Sequence, residues 1–209
     1  MIAVLDYKGG NLASVSAVLD HLGLAHVVTA DPQQVRDAER VIFPGVGAAA
    51  ACMDNLRTSG LDLSLKEALS QGKPVLGICV GCQLLLEKSE EDGGTECLGI
   101  LPGTVDRFVL PRESGAKIPH MGWNSVSWTR EHPVLEGLPS GSMFYFVHSY
   151  HPSPSDASLV LATTDYAGCV FASAMVRDNL IATQFHPEKS GAVGLKLLEN
   201  FARWVPLRG

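Results

Sequence analysis

Between Val75 and Leu86 the chain reads Val-Leu-Gly-Ile-Cys-Val-Gly-Cys-Gln-Leu-Leu-Leu, an apolar run that enters Cys79 and a helical pattern that leaves it. A run this short and apolar suits a parallel strand buried on both faces. With a helix expected over Val80–Leu86, Cys79 becomes the elbow between strand and helix. Open α/β sheets place their ligands at the carboxyl ends of strands, so the thiol would stand where chemistry is done. Gly77 and Gly81, two residues to either side, let the backbone pack closely around that turn. The free amides and positive dipole end of the following helix favour thiolate over thiol, and the Val80 N–H is well placed to hold an oxyanion. Two other readings compete. A lone cysteine after an apolar strand is usually packing. Cys79-x-x-Cys82 has the spacing of a redox or metal motif, but Cys52, Cys97 and Cys169 are isolated and complete no four-ligand set.

Strand and helix signals alternate through the whole first half. Strands are expected at Ile2–Leu5, Leu24–Thr29, Arg40–Phe43 and Val75–Ile78. Between them, Leu12, Val15, Leu19 and Leu22 recur at helical spacing, with Asn11 as the cap and Gly23 as the stop. A second helix is expected over Pro32–Ala38, and two more run to about Gln71. Pro44-Gly45-Val46-Gly47 makes a tight loop after the third strand. From Gly99 the pattern changes to strands separated by turns: Thr104–Val109, Ser125–Trp128, Met143–Val147, Leu159–Thr164, Cys169–Val176 and Leu180–Phe185. A last helix puts Val193, Leu197, Phe201 and Trp204 on one side. The fold class is therefore α/β, a mostly parallel open sheet with flanking helices and a later antiparallel extension, in one domain over residues 1–209.

Composition narrows the function classes. The net charge is −6, and Lys and Arg are scattered, so there is no nucleic-acid footprint. The acidic stretch Glu87–Asp92 reads as a solvated loop or helix end. No stretch approaches the roughly 20 apolar residues of a membrane span, and the N-terminus lacks a signal-peptide pattern. Five cysteines form an odd set, which points to a reducing cytoplasm.

A thiolate nucleophile needs a proton carrier close by. Of seven histidines, His21, His26 and His132 read as solvated surface, while His120, His148 and His151 lie in strand or turn context. His186 ends the apolar strand Leu180–Phe185, and Pro187 breaks that strand. Glu188, two residues on, points to the same side in extended geometry, where its carboxylate could fix the imidazole tautomer. Taken alone, His-Pro-Glu is also a common surface turn.

Together these pieces resemble the class I (triad) glutamine amidotransferases. Gly77-Ile78-Cys79-Val80-Gly81-Cys82-Gln83 matches their Gly-x-Cys-x-Gly-x-Gln signature, and His186-Pro187-Glu188 matches their His-Pro-Glu. Pro44-Gly45-Val46-Gly47 looks like their oxyanion loop. By that resemblance Cys79, His186 and Glu188 are catalytic, and Gly45, Val46, Gly47 and Val80 surround the developing charge. Gln83, with Ser149 and Tyr150 from a His148-Ser149-Tyr150 segment, would contact glutamine. Within the family, three segments look like the glutaminase subunits of imidazole glycerol phosphate synthase: residues 6–12, residues 119–124 and residues 186–190. Lys8 and Cys82 depart from the expected pattern, where a small and an apolar residue respectively are expected.

The resemblance implies that the chain hydrolyses L-glutamine to glutamate and ammonia without a metal or organic cofactor. It also implies a heterodimer with a (β/α)₈-barrel cyclase that uses the ammonia in histidine biosynthesis. Asn11, Met121, Trp123 and Lys189 are the interface candidates, although Trp123 could instead be core and Lys189 a solvated charge. Alternatives are the glutaminase subunit of another class I amidotransferase, such as anthranilate synthase, or a stand-alone cysteine hydrolase.

Overall fold

The computed structural model describes residues 1–206. Its first half follows the expected alternation: β1 (Ile2–Leu5), α1 (Leu12–His21), β2 (His26–Thr29), α2 (Pro32–Asp37), β3 (Arg40–Gly45), α3 (Ala49–Ser59), α4 (Leu61–Ser70) and β4 (Val75–Cys79). A single helical turn, α5 (Val80–Gln83), follows β4 directly. The remaining elements are β5 (Lys88–Ser89), β6 (Thr95–Glu96), β7 (Gly103–Arg107), β8 (His120–Trp128), β9 (Ser142–His148), β10 (Tyr150–Pro154), β11 (Val160–Tyr166), β12 (Cys169–Arg177), β13 (Leu180–Thr183) and α6 (Gly191–Arg203).

Nine strands form one sheet in the order β2-β1-β3-β4-β13-β12-β11-β8-β9. The pairs from β2 through β13 are parallel, and those beyond are antiparallel. Of the parallel strands, β1, β4 and β13 are buried at every position. The longer helices contribute stripes to the core, such as Cys52, Met53 and Leu56 on α3, and Leu197 and Phe201 on α6. Fully buried Phe43, Phe144, Phe146, Phe185 and Phe201 add large apolar area, each side chain worth about 1.5–3 kcal/mol. Among the described residues, no helix is long and apolar enough to cross a membrane.

Several local expectations need correction. The helix expected over Val80–Leu86 stops after Gln83, because Leu84, Leu85 and Leu86 turn inward as fully buried core residues and their carbonyls accept from Leu98, Gly99 and Ile100. Asn11 precedes α1 but makes no side-chain cap bond. Strand β8 begins five residues before the expected Ser125, and the strand expected over Thr104–Val109 is Gly103–Arg107. That strand belongs to a second sheet, β10-β7-β5-β6, whose other members were not expected, and β5 and β6 are only two residues long and carry no periodic signal. His26 is not a solvated histidine: its Nε2 lies 2.6 Å from Ser16 Oγ and its Nδ1 3.0 Å from the Leu24 carbonyl. His132 packs its ring edge-on to Trp204. The departure at Lys8 sits at φ 63°, a left-handed conformation that favours glycine.

Candidate active site

Cys79 ends β4 between β3 and β13, at the carboxyl edge of the parallel strands. Its backbone, at φ 54° and ψ −110°, is one that side chains rarely adopt. Such strain persists only when surrounding packing enforces it, and here the enforcement is visible. A Cβ on Gly81 would lie 2.0 Å from the Phe43 carbonyl oxygen, and one on Gly45 would lie 2.6 Å from the Gly81 nitrogen. The two glycines thus let the loop after β3 and the elbow after β4 touch backbone to backbone. Gly81→Ala is expected to lower stability by about 1–3 kcal/mol, the usual cost of overpacking. Chemical denaturation measures it, and an unchanged midpoint would show that the contact is not needed.

His186 follows β13 and is 1 % exposed. Its Nδ1 lies 2.7 Å from Glu188 Oε1, with both side chains buried. The pair is formed differently from the extended geometry expected for it: Pro187–Lys189 is a 3₁₀ turn, which curls Glu188 back toward the ring. Ser190 Oγ donates to the His186 carbonyl at 2.6 Å and accepts from the Tyr145 amide, fixing the turn against β9. Nε2 makes no hydrogen bond of standard geometry, yet Cys79 is near enough to affect the ring. Burial alone would push the imidazole down; the Cys79 sulfur and then Glu188 outweigh it and raise His186 to about 10.

A cavity of about 400 Å³ opens over this group and is lined by Val46, Gly47, Cys79, Val80, Gln83, Ser149, Tyr150 and His186. Gly45 lies alongside, in register with Cys79, and Glu188 stands behind His186. Every catalytic and substrate-binding candidate named from sequence is therefore in or against one space. Val147, His148 and Pro119 also line it, as does Glu91. Glu91 corrects the reading of Glu87–Asp92 as a solvated segment. Its Oε2 accepts from the Ala49 amide at 2.8 Å, and burial raises its pKa against that bond. No sequence signal marks it, since only the tertiary fold brings residue 91 beside α3.

The loop Pro44–Gly47 is firmly held. Tyr7 Oη donates to the Pro44 carbonyl at 2.7 Å, the Cys52 thiol donates to the Val46 carbonyl at 3.5 Å, and the Val46 amide donates to the Gly9 carbonyl at 3.1 Å. The Val46 N–H, expected among the oxyanion donors, is thus committed to Gly9. Cys82 faces the core and is fully buried, which pushes its thiol well up. All five cysteines are unpaired. Among the described residues, no group of three or more His, Cys, Asp or Glu is arranged to hold a metal.

Behind the cavity, His120 is sandwiched between Phe146 and Tyr166, and its Nδ1 lies 2.9 Å from His148 Nε2. Burial lowers His120 to about 4 and His148 to about 3. Because these folded values lie below the unfolded one of about 6.5, the unfolded chain takes up protons first as acid is added. The associated stability is complete above about pH 6.5 and declines as pH falls, through about 4 for His120 and about 3 for His148. Histidine NMR is expected to show two imidazoles still neutral at about pH 5; two ordinary titrations near the usual histidine value would contradict it.

The interface candidates are placed as follows. Met121 and Trp123 are 62 % and 53 % exposed on β8, so Trp123 is not core. The Trp123 ring meets Tyr145 at 6.2 Å, and Lys189 Nζ stands 6.0 Å over the same Tyr145 ring. Asn11 opens α1, which packs on the turn carrying Lys189.

A nine-stranded α/β sheet with a thiol elbow beside a buried imidazole–carboxylate pair is the arrangement of a triad amidotransferase. The model of the family Glutamine amidotransferase class-I matches residues 3–204, and the chain belongs to that family. Within it, the chain is 52 % identical to the imidazole glycerol phosphate synthase subunit HisH of Dehalococcoides mccartyi, covering 96 % of each chain. It is 50 % identical to the protein of the same name from Nitrosococcus oceani, covering 97 % of each. Among solved structures, one described as a glutamine amidotransferase superposes with TM-score 0.73 at 18 % identity, covering 97 % of both chains. The structure of PurLQS from Thermotoga maritima gives 0.69 at 19 %, again over 97 % of both chains. At those identities the two structures speak for the fold.

Proposed function

We propose that this chain is the glutaminase subunit of an imidazole glycerol phosphate synthase: it hydrolyses L-glutamine and passes the ammonia to a (β/α)₈-barrel cyclase in histidine biosynthesis. The observation that carries this is about 50 % identity, end to end, to subunits of that enzyme. The buried Cys79–His186–Glu188 group at the cavity floor supports it.

Cys79 thiolate attacks the side-chain amide carbon of glutamine, and His186, held protonated beside Glu188, donates a proton to the departing ammonia. Water activated by His186 then hydrolyses the γ-glutamyl thioester to glutamate. Val80 and the Gly45–Gly47 loop stabilise the two oxyanions. Gln83, Ser149, Tyr150 and Glu91 hold the α-amino and carboxylate ends. The Gln83 NH₂ group is already used within the protein, on two acceptors, which leaves its Oε1 to accept from the α-ammonium. This chemistry calls for no metal or organic cofactor. We place the protein in the cytoplasm, where five unpaired thiols persist.

Met121, Trp123 and Lys189, with Asn11 beside them, form the proposed partner face. It runs into the site, because Met121 is in register with Val147, a cavity residue. With the Val46 amide tied to Gly9, the chain alone is expected to hydrolyse glutamine slowly, and the cyclase with its nucleotide substrate to stimulate it. Glutamate release with and without the partner tests both statements. Equal turnover in the two mixtures would remove the activation, and no release in either would remove the proposed function.

A further inference from the structure

Gln184 is fully buried and has no place in the triad, yet its Nε2 lies 3.7 Å from Cys79 Sγ. It lies between β13 and His186, and its backbone amide donates to the Ser173 carbonyl at 2.9 Å. A polar side chain this deeply buried costs free energy unless its hydrogen bonds are made. Here they are made in a fixed sense.

An amide side chain can be turned end for end, so which of its atoms meets the sulfur depends on the surrounding network. The network leaves one answer. Gln83 approaches the Tyr150 carbonyl at 2.9 Å, and a backbone carbonyl only accepts, so Gln83 must present its NH₂ group there. The same Nε2 lies 2.9 Å from the Gln184 side chain, which must therefore offer its oxygen. The Gln184 NH₂ is then left facing Cys79. The Tyr150 carbonyl is fixed from its other side as well, by His148 Nδ1 at 2.8 Å. His148 Nδ1 must carry the proton, so its Nε2 accepts from His120 Nδ1, and His120 Nε2 accepts from Asn124 Nδ2 at 3.3 Å. Every donor and acceptor from Asn124 to Cys79 is thereby assigned from one backbone carbonyl.

We infer that Gln184 is a thiolate-stabilising residue: its side-chain N–H, oriented by Gln83 and the Tyr150 carbonyl, donates to the Cys79 sulfur. An N–H donor favours the sulfur when it carries negative charge, so the contact holds the attacking form of the nucleophile and fixes its direction. His186 serves the same sulfur as its proton carrier, and Gln184 serves it as a donor that never gives up its proton. The inference rests on the proposed hydrolysis for its purpose but not for its geometry.

The test is the pH dependence of Cys79 alkylation by iodoacetamide in the full chain, read by site-resolved mass spectrometry, for the parent, Gln184→Met and Gln184→Glu. Met keeps the length and removes the donor; Glu keeps the shape and sets an acceptor against the sulfur. The half-maximal pH of alkylation is expected to rise in both, more in Gln184→Glu, and the rate at about pH 7 to fall roughly 3- to 10-fold in Gln184→Met. Thermal unfolding of each variant confirms that the comparison is made on folded protein. Should Gln184→Met not fold, the Glu variant alone decides. Superimposable pH profiles in folded variants would overturn the inference, whatever the glutaminase activity. A shifted profile in a chain that never hydrolyses glutamine would uphold the sulfur contact and overturn the proposed function instead.

Discussion

Replacing Cys79 with alanine is expected to reduce glutamine hydrolysis by about 10⁴-fold or more, to the level of background, with the fold intact. The loss is that large because the proposed thioester has no other atom to form on. Cys82, the next thiol, is fully buried and held well above the ordinary thiol range, so it cannot substitute. The fold should survive, because alanine removes one sulfur atom whose neighbours, the Val147 carbonyl at 3.9 Å, the Gln184 amide at 3.7 Å and the His186 ring, keep their own places in the packed sheet and turn. The measurement is glutamate release in the presence of the proposed cyclase partner and its nucleotide substrate, with circular dichroism as the control on folding. In the proposed assembly with the cyclase, synthesis from added ammonium salts should continue, since only the ammonia source would be lost. Residual glutaminase within about tenfold of the parent would remove Cys79 from the nucleophile's role.

The second large effect is expected at Glu188. Its Oε1 is 2.7 Å from His186 Nδ1, both side chains are buried, and the carboxylate is among the groups that raise the imidazole to about 10. Glu188→Gln keeps the shape and removes the charge. The amide can still turn its oxygen toward Nδ1–H, so the ring need not lose its orientation. In the proposed mechanism the buried imidazolium that gives its proton to the departing ammonia then has no counter-charge. Loss of the equivalent carboxylate in serine-protease triads costs about 10⁴ in kcat, and a fall of about 10²–10⁴ is expected here. The same variant should bring His186 down, because its preference for the protonated form depends on Cys79 and Glu188 against burial. Kinetics with the partner and histidine NMR read the two effects separately. A decrease under about threefold would show that Glu188 only packs the turn.

Much of this site is legible in the sequence, and the reason is local. Gly77, Cys79, Gly81 and Gln83 lie within one short segment, and a strand that stops at a cysteine before a helix can form only a small set of turns. The parallel half of the sheet is equally legible, because strands such as Val75–Cys79 are buried on both faces and read as unbroken apolar runs. Boundaries are less so. Leu84–Leu86 continue a helical pattern in sequence yet leave the helix, since burying three leucines in the core outweighs extending a single-turn helix.

The sequence by itself determined the alternation of strands and helices through the first half, the elbow at Cys79 and the nearness of Glu188 to His186, since each depends on neighbours a few residues apart. Only the tertiary structure decided that Glu91 borders the cavity, that the Val46 amide is spent on Gly9, and that Gln184 turns its N–H toward the Cys79 sulfur. Those contacts join residues that are far apart along the chain, 42 positions for Glu91 with Ala49 and 105 for Gln184 with Cys79. Hydrogen-bond direction at such separations is set by which carbonyls and amides the packed sheet brings within about 3 to 4 Å, and no periodicity in the sequence records that.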